Sequence, residues 1–187
     1  MPTIINGTTG IDKVQDDSVD IADLSATGTA SSSTYLRGDN SWASLPASGK
    51  VLQVVNATYS TETANNTSTY ADTGLTATIT PTSSTSKILV LVSQAGVGKS
   101  NDNSSNGCTV NLLRSSTQLI EFVIGGGRTV SAAYNLGLNA TACYLDSPST
   151  TSSTTYKTQF KNFTNASSVY VQGNSATSTI TLMEIAA

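Results

Sequence analysis

From about residue 45 onward, apolar and polar residues alternate with the two-residue period of strands that turn one side to a core. The cleanest instance sets Leu75, Ala77 and Ile79 against Thr76, Thr78 and Thr80, and Pro81 ends it. Two runs, Val51 to Asn56 and the KILVLVSQ run from Lys87 to Gln94, are apolar at both alternating sets, so each is expected to be buried on both sides. Tyr59 to Tyr70 is rich in Thr, Asn and Ser and reads as a loop. Further strands are expected over Cys108 to Arg114, Gln118 to Ile124, Ser131 to Leu145, Thr154 to Phe163, Ser168 to Gln172 and Thr179 to Ile185. Ser115-Ser116-Thr117 is short enough to close a hairpin, and Gly125-Gly126-Gly127 permits a turn with positive φ. Many short strands, no long helix and no repeat of fixed period predict an all-β chain in which residues 46–187 form an antiparallel, jelly-roll-like β-sandwich.

Residues 1–25 follow neither period. Their apolar positions are Ile4, Ile5, Ile11, Val14, Val19, Ile21 and Leu24, with Asn6-Gly7 as a turn and one short helix at most, near Ser18 to Leu24 with Ser18 as N-cap. Five acidic residues lie among them, Asp12, Asp16, Asp17, Asp20 and Asp23. A segment this small cannot bury a core of its own. Those seven apolar residues are therefore expected to order against partner chains, the alternative being a solvated tail.

Residues 26–45 join the two parts. Seven small or hydroxylated residues from Ala26 to Ser32 form what reads as a flexible run, which leads through Ser33 and Thr34 into Tyr35-Leu36-Arg37-Gly38-Asp39-Asn40-Ser41-Trp42, a turn flanked by Tyr35, Leu36 and Trp42 as anchors. Ala26-Thr27-Gly28-Thr29, the Ser-Ser-Ser-Thr run, Tyr35 to Asp39 and Trp42 resemble a connector common in bacteriophage tail-fibre proteins. More loosely, Tyr70-Ala71-Asp72-Thr73-Gly74-Leu75, Lys87 to Gln94 and Ser178 to Ile185 are similar to the small C-terminal β-domains of virion proteins from phages of cyanobacteria and other aquatic bacteria. The resemblance implies an extended N-terminal virion-attachment segment, docking through the seven apolar residues on a tail or baseplate protein, and a C-terminal domain that binds a bacterial surface glycan or protein receptor. It also implies a homotrimer exposed on the phage tail. The alternative is a capsid decoration protein or head fibre, and a free-standing bacterial lectin is a further one.

Composition narrows the chemistry. Only 11% of the 187 residues are charged, against about 25% in average domains, and Ser and Thr supply roughly 30%, so surface polarity must come from hydroxyls and amides. A net charge of −3 without any Lys/Arg cluster excludes nucleic acid as an expected partner. The longest apolar runs are far below the ~20 residues that span a bilayer as a helix, and the N-terminus lacks a basic start and a long apolar core, so neither membrane insertion nor a secretion signal is expected.

No enzyme is expected. The chain has no His, which removes the usual general base and the Ser-His-Asp and Cys-His arrangements. A glycosidase pair would have to come from Glu62, Asp72, Asp102, Glu121, Asp146 and Glu184, which are scattered in sequence. Ser93-Gln94-Ala95-Gly96-Val97-Gly98-Lys99-Ser100 ends as a phosphate-binding loop does, but Ser93 stands where the first glycine belongs and poor helix formers follow; a Gly-rich turn into an exposed loop is expected. With two distant thiols and no His, no metal and no cofactor is expected. Cys108 and Cys143 read as two buried thiols in strands, a disulfide staying open. The Asn-X-Ser/Thr triplets read as chance in a Ser/Thr-rich chain, and Arg37-Gly38-Asp39 reads as a turn.

Overall fold

The computed structural model describes residues 26–46, 48–100, 105–129, 137–164 and 167–187. The chain divides into two compact units, Met1–Ala47 and Ser48–Ala187. Residues 1–25, with the expected short helix and the seven apolar attachment residues, lie outside the described residues.

In the first unit β1 (Thr34–Leu36) and β2 (Trp42–Ser44) pair antiparallel. The second unit is built from β3 (Val51–Tyr59), β4 (Thr63–Asn65), β5 (Ala71–Ile79), β6 (Lys87–Lys99), β7 (Cys108–Arg114), β8 (Thr117–Gly126), β9 (Gly137–Asp146), β10 (Thr154–Asn162), β11 (Val169–Val171) and β12 (Ser178–Ile185). β5-β10-β7-β8 form one antiparallel sheet and β3-β12-β6-β11-β4 the other. β9 pairs along the opposite side of β6. The thirteen-residue β6 is thus the spine of the larger sheet: β12 covers one side of its first half, β11 takes over at Gly98 and Lys99, and β9 lines the other side throughout. The expected antiparallel β-sandwich is present, with alternation turned inward as the sequence predicts.

The core has two parts. Leu75, Ala77, Ile79, Ile88, Val90, Val92, Leu112, Tyr156, Ile180 and Leu182 belong to one cluster, and Val97, Cys108, Val110, Val123, Phe160, Val169 and Val171 to the other. Between them runs a chain of buried hydrogen bonds. The Thr73 and Thr158 hydroxyls are 2.6 Å apart, Thr158 donates to Gln94 Oε1 at 2.9 Å, and Gln94 Nε2 donates to the Ser178 hydroxyl at 3.0 Å. Gln172 Nε2 and the Ala95 amide donate to that same hydroxyl, at 3.1 and 2.9 Å. Each strand that crosses this level changes from one cluster to the other: Val92, Gln94, Val97 in β6, and Tyr156, Thr158, Phe160 in β10.

Several expectations are corrected by position in the sheets. Val51 to Asn56 is not buried on both sides, because β3 is an edge strand; Val51, Leu52 and Val54 remain 52%, 46% and 55% exposed. Lys87 to Gln94 buries only Ile88, Val90, Val92 and Gln94, leaving Leu89, Leu91 and Ser93 half-buried on the outer face. The presumed loop over Tyr59 to Tyr70 contains β4, paired with β11. Within Ser131 to Leu145, residues 131–136 lie outside the described residues and β9 begins at Gly137.

The Gly-Lys-Ser stretch is neither a phosphate loop nor a turn. It continues β6 through a bulge between Gln94 and Val97, and Lys99 ends fully buried. Gly96 there has φ +57, and a Cβ on it would lie 2.4 Å from the Gly173 backbone nitrogen, so the glycine serves a close backbone approach. The two-residue hairpin at Ser115 and Ser116 is as expected, with Ser115 at φ 53. Cys108 is buried, whereas Cys143 is exposed on β9 because its side chain falls on the outer face; both thiols are free.

Glu184 ties the turn after β5 to the larger sheet. Its carboxylate accepts the Thr82 amide and hydroxyl, both at 2.7 Å, and Gln53 Nε2 at 2.6 Å. Burial alone would raise its pKa, but these hydrogen bonds outweigh it and hold the carboxyl down at about 2. A depressed carboxyl stabilises the fold above its unfolded value, near 4.5, and the contribution is lost as pH falls from there toward about 2. Acid titration of stability should therefore show a loss across that window which Glu184→Gln abolishes, measured by urea unfolding at several pH values. For the buried hydrogen-bond chain, Gln94→Leu leaves the Thr158 and Ser178 hydroxyls short of partners; at about 1–3 kcal/mol per stranded group, a loss of about 2–4 kcal/mol is expected from the urea midpoint.

Candidate functional site

The connector residues close on themselves. β1 and β2 place Leu36 opposite Trp42 and Tyr35 opposite Ala43. The Arg37 to Ser41 turn is held by the Arg37 amide donating to Ser41 O at 2.8 Å and by the Asp39 carboxylate, which accepts the Ser41 hydroxyl at 2.6 Å. Arg37 and Asp39 form an exposed ion pair at 3.7 Å, so the triplet is a self-contained turn.

Ala26 to Ser32 is not the free run expected from its small residues. Thr27 bridges Ser41 in parallel, with the Trp42 amide donating to Thr27 O at 2.8 Å, and the Thr34 hydroxyl accepts the Ser31 amide at 2.8 Å and donates to Thr29 O at 3.1 Å. Gly28 sits at φ +93, a backbone conformation that disfavours any side chain, and a Cβ there would lie a tight 3.1 Å from the Trp42 carbonyl oxygen. Of the three anchor residues, Trp42 is half-buried, while Tyr35 and Leu36 are 42% and 38% exposed.

The two outer faces of the sandwich differ in chemistry. On the smaller sheet, Asp72, Gln159, Asn111 and Glu121 stand in register across β5, β10, β7 and β8 as a polar ladder. Its members are joined by side chains: Gln159 Nε2 donates to Asp72 at 2.8 Å, Lys157 pairs with Asp72 at 2.8 Å, and Asn111 Nδ2 donates to Gln118 at 2.9 Å. Tyr70 donates its hydroxyl to Glu121, and the Lys161 ammonium lies 4.4 Å above the Tyr70 ring. Burial, and then the neighbouring Glu121 carboxylate, pushes the Tyr70 phenol up. Burial works against ionisation of Asp72, but the bonds from Lys157 and Gln159 prevail and lower its pKa. A hollow of about 130 Å3 beside the ladder is lined by Asp72, Gly74, Thr76 and Lys157.

On the larger sheet the outer face carries three ranks that cross β9, β6, β12 and β3. They are Leu145, Leu89, Met183, Val54; then Cys143, Leu91, Thr181, Asn56; then Thr141, Ser93, Thr179, Thr58. The first rank is bulky and apolar, and Leu91, Ser93, Thr141, Cys143, Thr179 and Thr181 line a hollow of about 280 Å3 next to it. None of the twelve residues is charged.

The scattered carboxylates serve other partners. Asp146 receives Arg114 Nη1 at 2.8 Å and the Tyr156 hydroxyl at 2.6 Å, linking β9 to β7 and β10, and Glu62 accepts the Asn174 amide at 3.0 Å. Asp102 lies outside the described residues. Sequence reasoning passed over both outer faces, although the outward positions of each strand, once assigned, name their members.

No family model and no curated protein matches the chain. Among solved structures it aligns with infectious bursal virus derived T=1 particles, at 12% identity and a TM-score of 0.40, over 78% of this chain and 38% of that one. It aligns also with the infectious bursal disease virus VP2 subviral particle, at 11% identity and a TM-score of 0.38, over 78% of this chain and 40% of that one. The chain thus spans about two fifths of the length of either structure.

Trp42 is the sole tryptophan, so its emission reports the connector alone. Gly28→Ala, which forces a side chain into a left-handed backbone at a cost of about 1–2 kcal/mol, should red-shift Trp42 fluorescence and admit protease between residues 26 and 46. The urea midpoint of the sandwich, followed by circular dichroism, should not move.

Proposed function

We propose that this chain is a phage virion component: a tail-fibre or tail-tip adhesin whose N-terminal segment docks on the virion and whose β-sandwich meets the host surface. Ile4, Ile5, Ile11, Val14, Val19, Ile21 and Leu24 are the docking residues, and Tyr35, Leu36 and Trp42 anchor the connector that follows. The working unit is a homotrimer.

The observation that carries this reading is the connector. Its string of residues resembles those of tail fibres, and its geometry suits a joint that must hold under load: a turn closed by Asp39, a paired Leu36 and Trp42, and Thr27 bonded to both sides of Ser41. The polar ladder then supplies the host-facing chemistry. Amide, carboxylate and ammonium groups at Asp72, Lys157, Gln159, Glu121 and Lys161 offer donors and acceptors at strand spacing, with buried Asn111 bridging between them in register, which fits hydroxyl-rich glycans.

The test uses purified full-length chain and host cells. It should bind cells and protect them from infection, and Gln159→Ala combined with Asp72→Ala should weaken binding about tenfold or more while leaving circular dichroism unchanged. Immunogold labelling of particles should mark the tail. Label on the capsid, together with no competition, would replace the adhesin reading by that of a decoration protein.

A further inference from the structure

The outer face of the larger sheet asks for a partner. Its three ranks cover roughly 19 Å across four strands and about 20 Å along them, on the order of 400 Å2 of flat sheet before side-chain relief is counted. About half of it is apolar, the bulky rank with Leu91 and Cys143 beside it, and a contiguous exposed patch of that kind is commonly a contact site. At its border Leu52, Val54 and Leu145 are 46%, 55% and 51% exposed. β3 alongside is a nine-residue edge strand, VLQVVNATY, without a charge or a proline, and its one irregularity against β12 is confined to the Val51–Gln53 end.

The chemistry of the face selects the partner. A charged protein or a phosphate-bearing ligand would find nothing complementary, because the twelve outward residues hold no charge. A membrane surface calls for basic and aromatic residues around the apolar ones; Lys87, the next outward residue of β6, borders the rank, but the twelve include no aromatic. What matches a neutral face of Leu, Met, Val, Thr and Ser is a second face of the same kind. The shape agrees: a bulky rank, Leu145-Leu89-Met183-Val54, stands beside a hollow lined by the small residues Ser93, Thr141, Thr179 and Thr181.

We propose that this face is the contact between copies of the chain, the bulky rank of one copy seating in the hollow of the next. A heterologous contact of this kind closes into a ring when its rotation allows. The inference rests on the homotrimer reading above for the number of copies, and on the geometry of the face for its location. It places the polar ladder, on the opposite sheet of the sandwich, outside the assembly.

Cys143 makes the test direct, since it lies in the second rank while Cys108 is buried inside the sandwich as an internal control. Full-length chain is weighed by light scattering and treated with a maleimide under native conditions. The expected result is an oligomer whose Cys143 reacts at least tenfold more slowly than in the variants Leu89→Glu and Val54→Glu, both of which become monomers with unchanged circular dichroism. Val54, at an exposed edge, keeps the test valid if Leu89→Glu does not fold. An oligomer whose Cys143 reacts as fast as in the variants would overturn the assignment of the face and leave the homotrimer standing. A monomer at tens of micromolar would overturn both, while the particle labelling described above would still decide the virion reading by itself.

Discussion

The hydrogen-bond chain from Thr73 through Thr158, Gln94 and Ser178 to Gln172 is the constraint on which the sandwich depends. It joins β5, β10, β6 and β12 across both sheets at one level, and it lies where β12 gives way to β11 along β6. An apolar core of this length could slide in register by two residues and still bury Val and Leu. A Gln and a Ser that must meet cannot, because a slip would leave several buried polar groups without partners. The network therefore sets the register for the clusters on either side of it. Arg114, Asp146 and Tyr156 repeat the principle at one end, where an ion pair and a phenol join β7 and β10 to β9.

With register fixed, the outer faces acquire their opposite characters. The same pleat that sends Ile88, Val90 and Val92 inward sends Leu89, Leu91 and Ser93 outward, so the neutral face is a direct consequence of the two-faced apolar run. On the smaller sheet the pleat instead lines up Asp72, Gln159, Asn111 and Glu121. One sandwich thus separates a surface suited to its own kind from a surface suited to hydroxyls and charges.

Much of this was legible in the sequence. Alternation located the strands, Pro81 and the Ser115-Ser116 turn bounded them, and the lack of a helical period ruled out other classes. What was not legible depended on neighbours. Val51 and Val54 read as doubly buried because local pattern cannot say that β3 lies at an edge, and Cys143 read as buried because thiols usually are, not because of the face it occupies. The Gly-Lys-Ser stretch read as a turn into a loop, and the use of Gly96 in a bulge of β6 required knowing that the 172–173 backbone passes beside it. The polar ladder needs Gln159 to meet Asp72 and Asn111, 87 and 48 positions away in sequence, which no window of pattern contains.

That bulge has an evolutionary consequence. A side chain on Gly96 would strike the Gly173 backbone, and a side chain on Gly173 would strike the Tyr170 ring at 2.6 Å and Gly96 O at 3.1 Å. Neither position can accept a larger residue while the other strand stays in place. The two glycines are thus bound to a common fate although 77 residues separate them, and any drift of this sandwich must either keep both or rebuild the crossing between its halves.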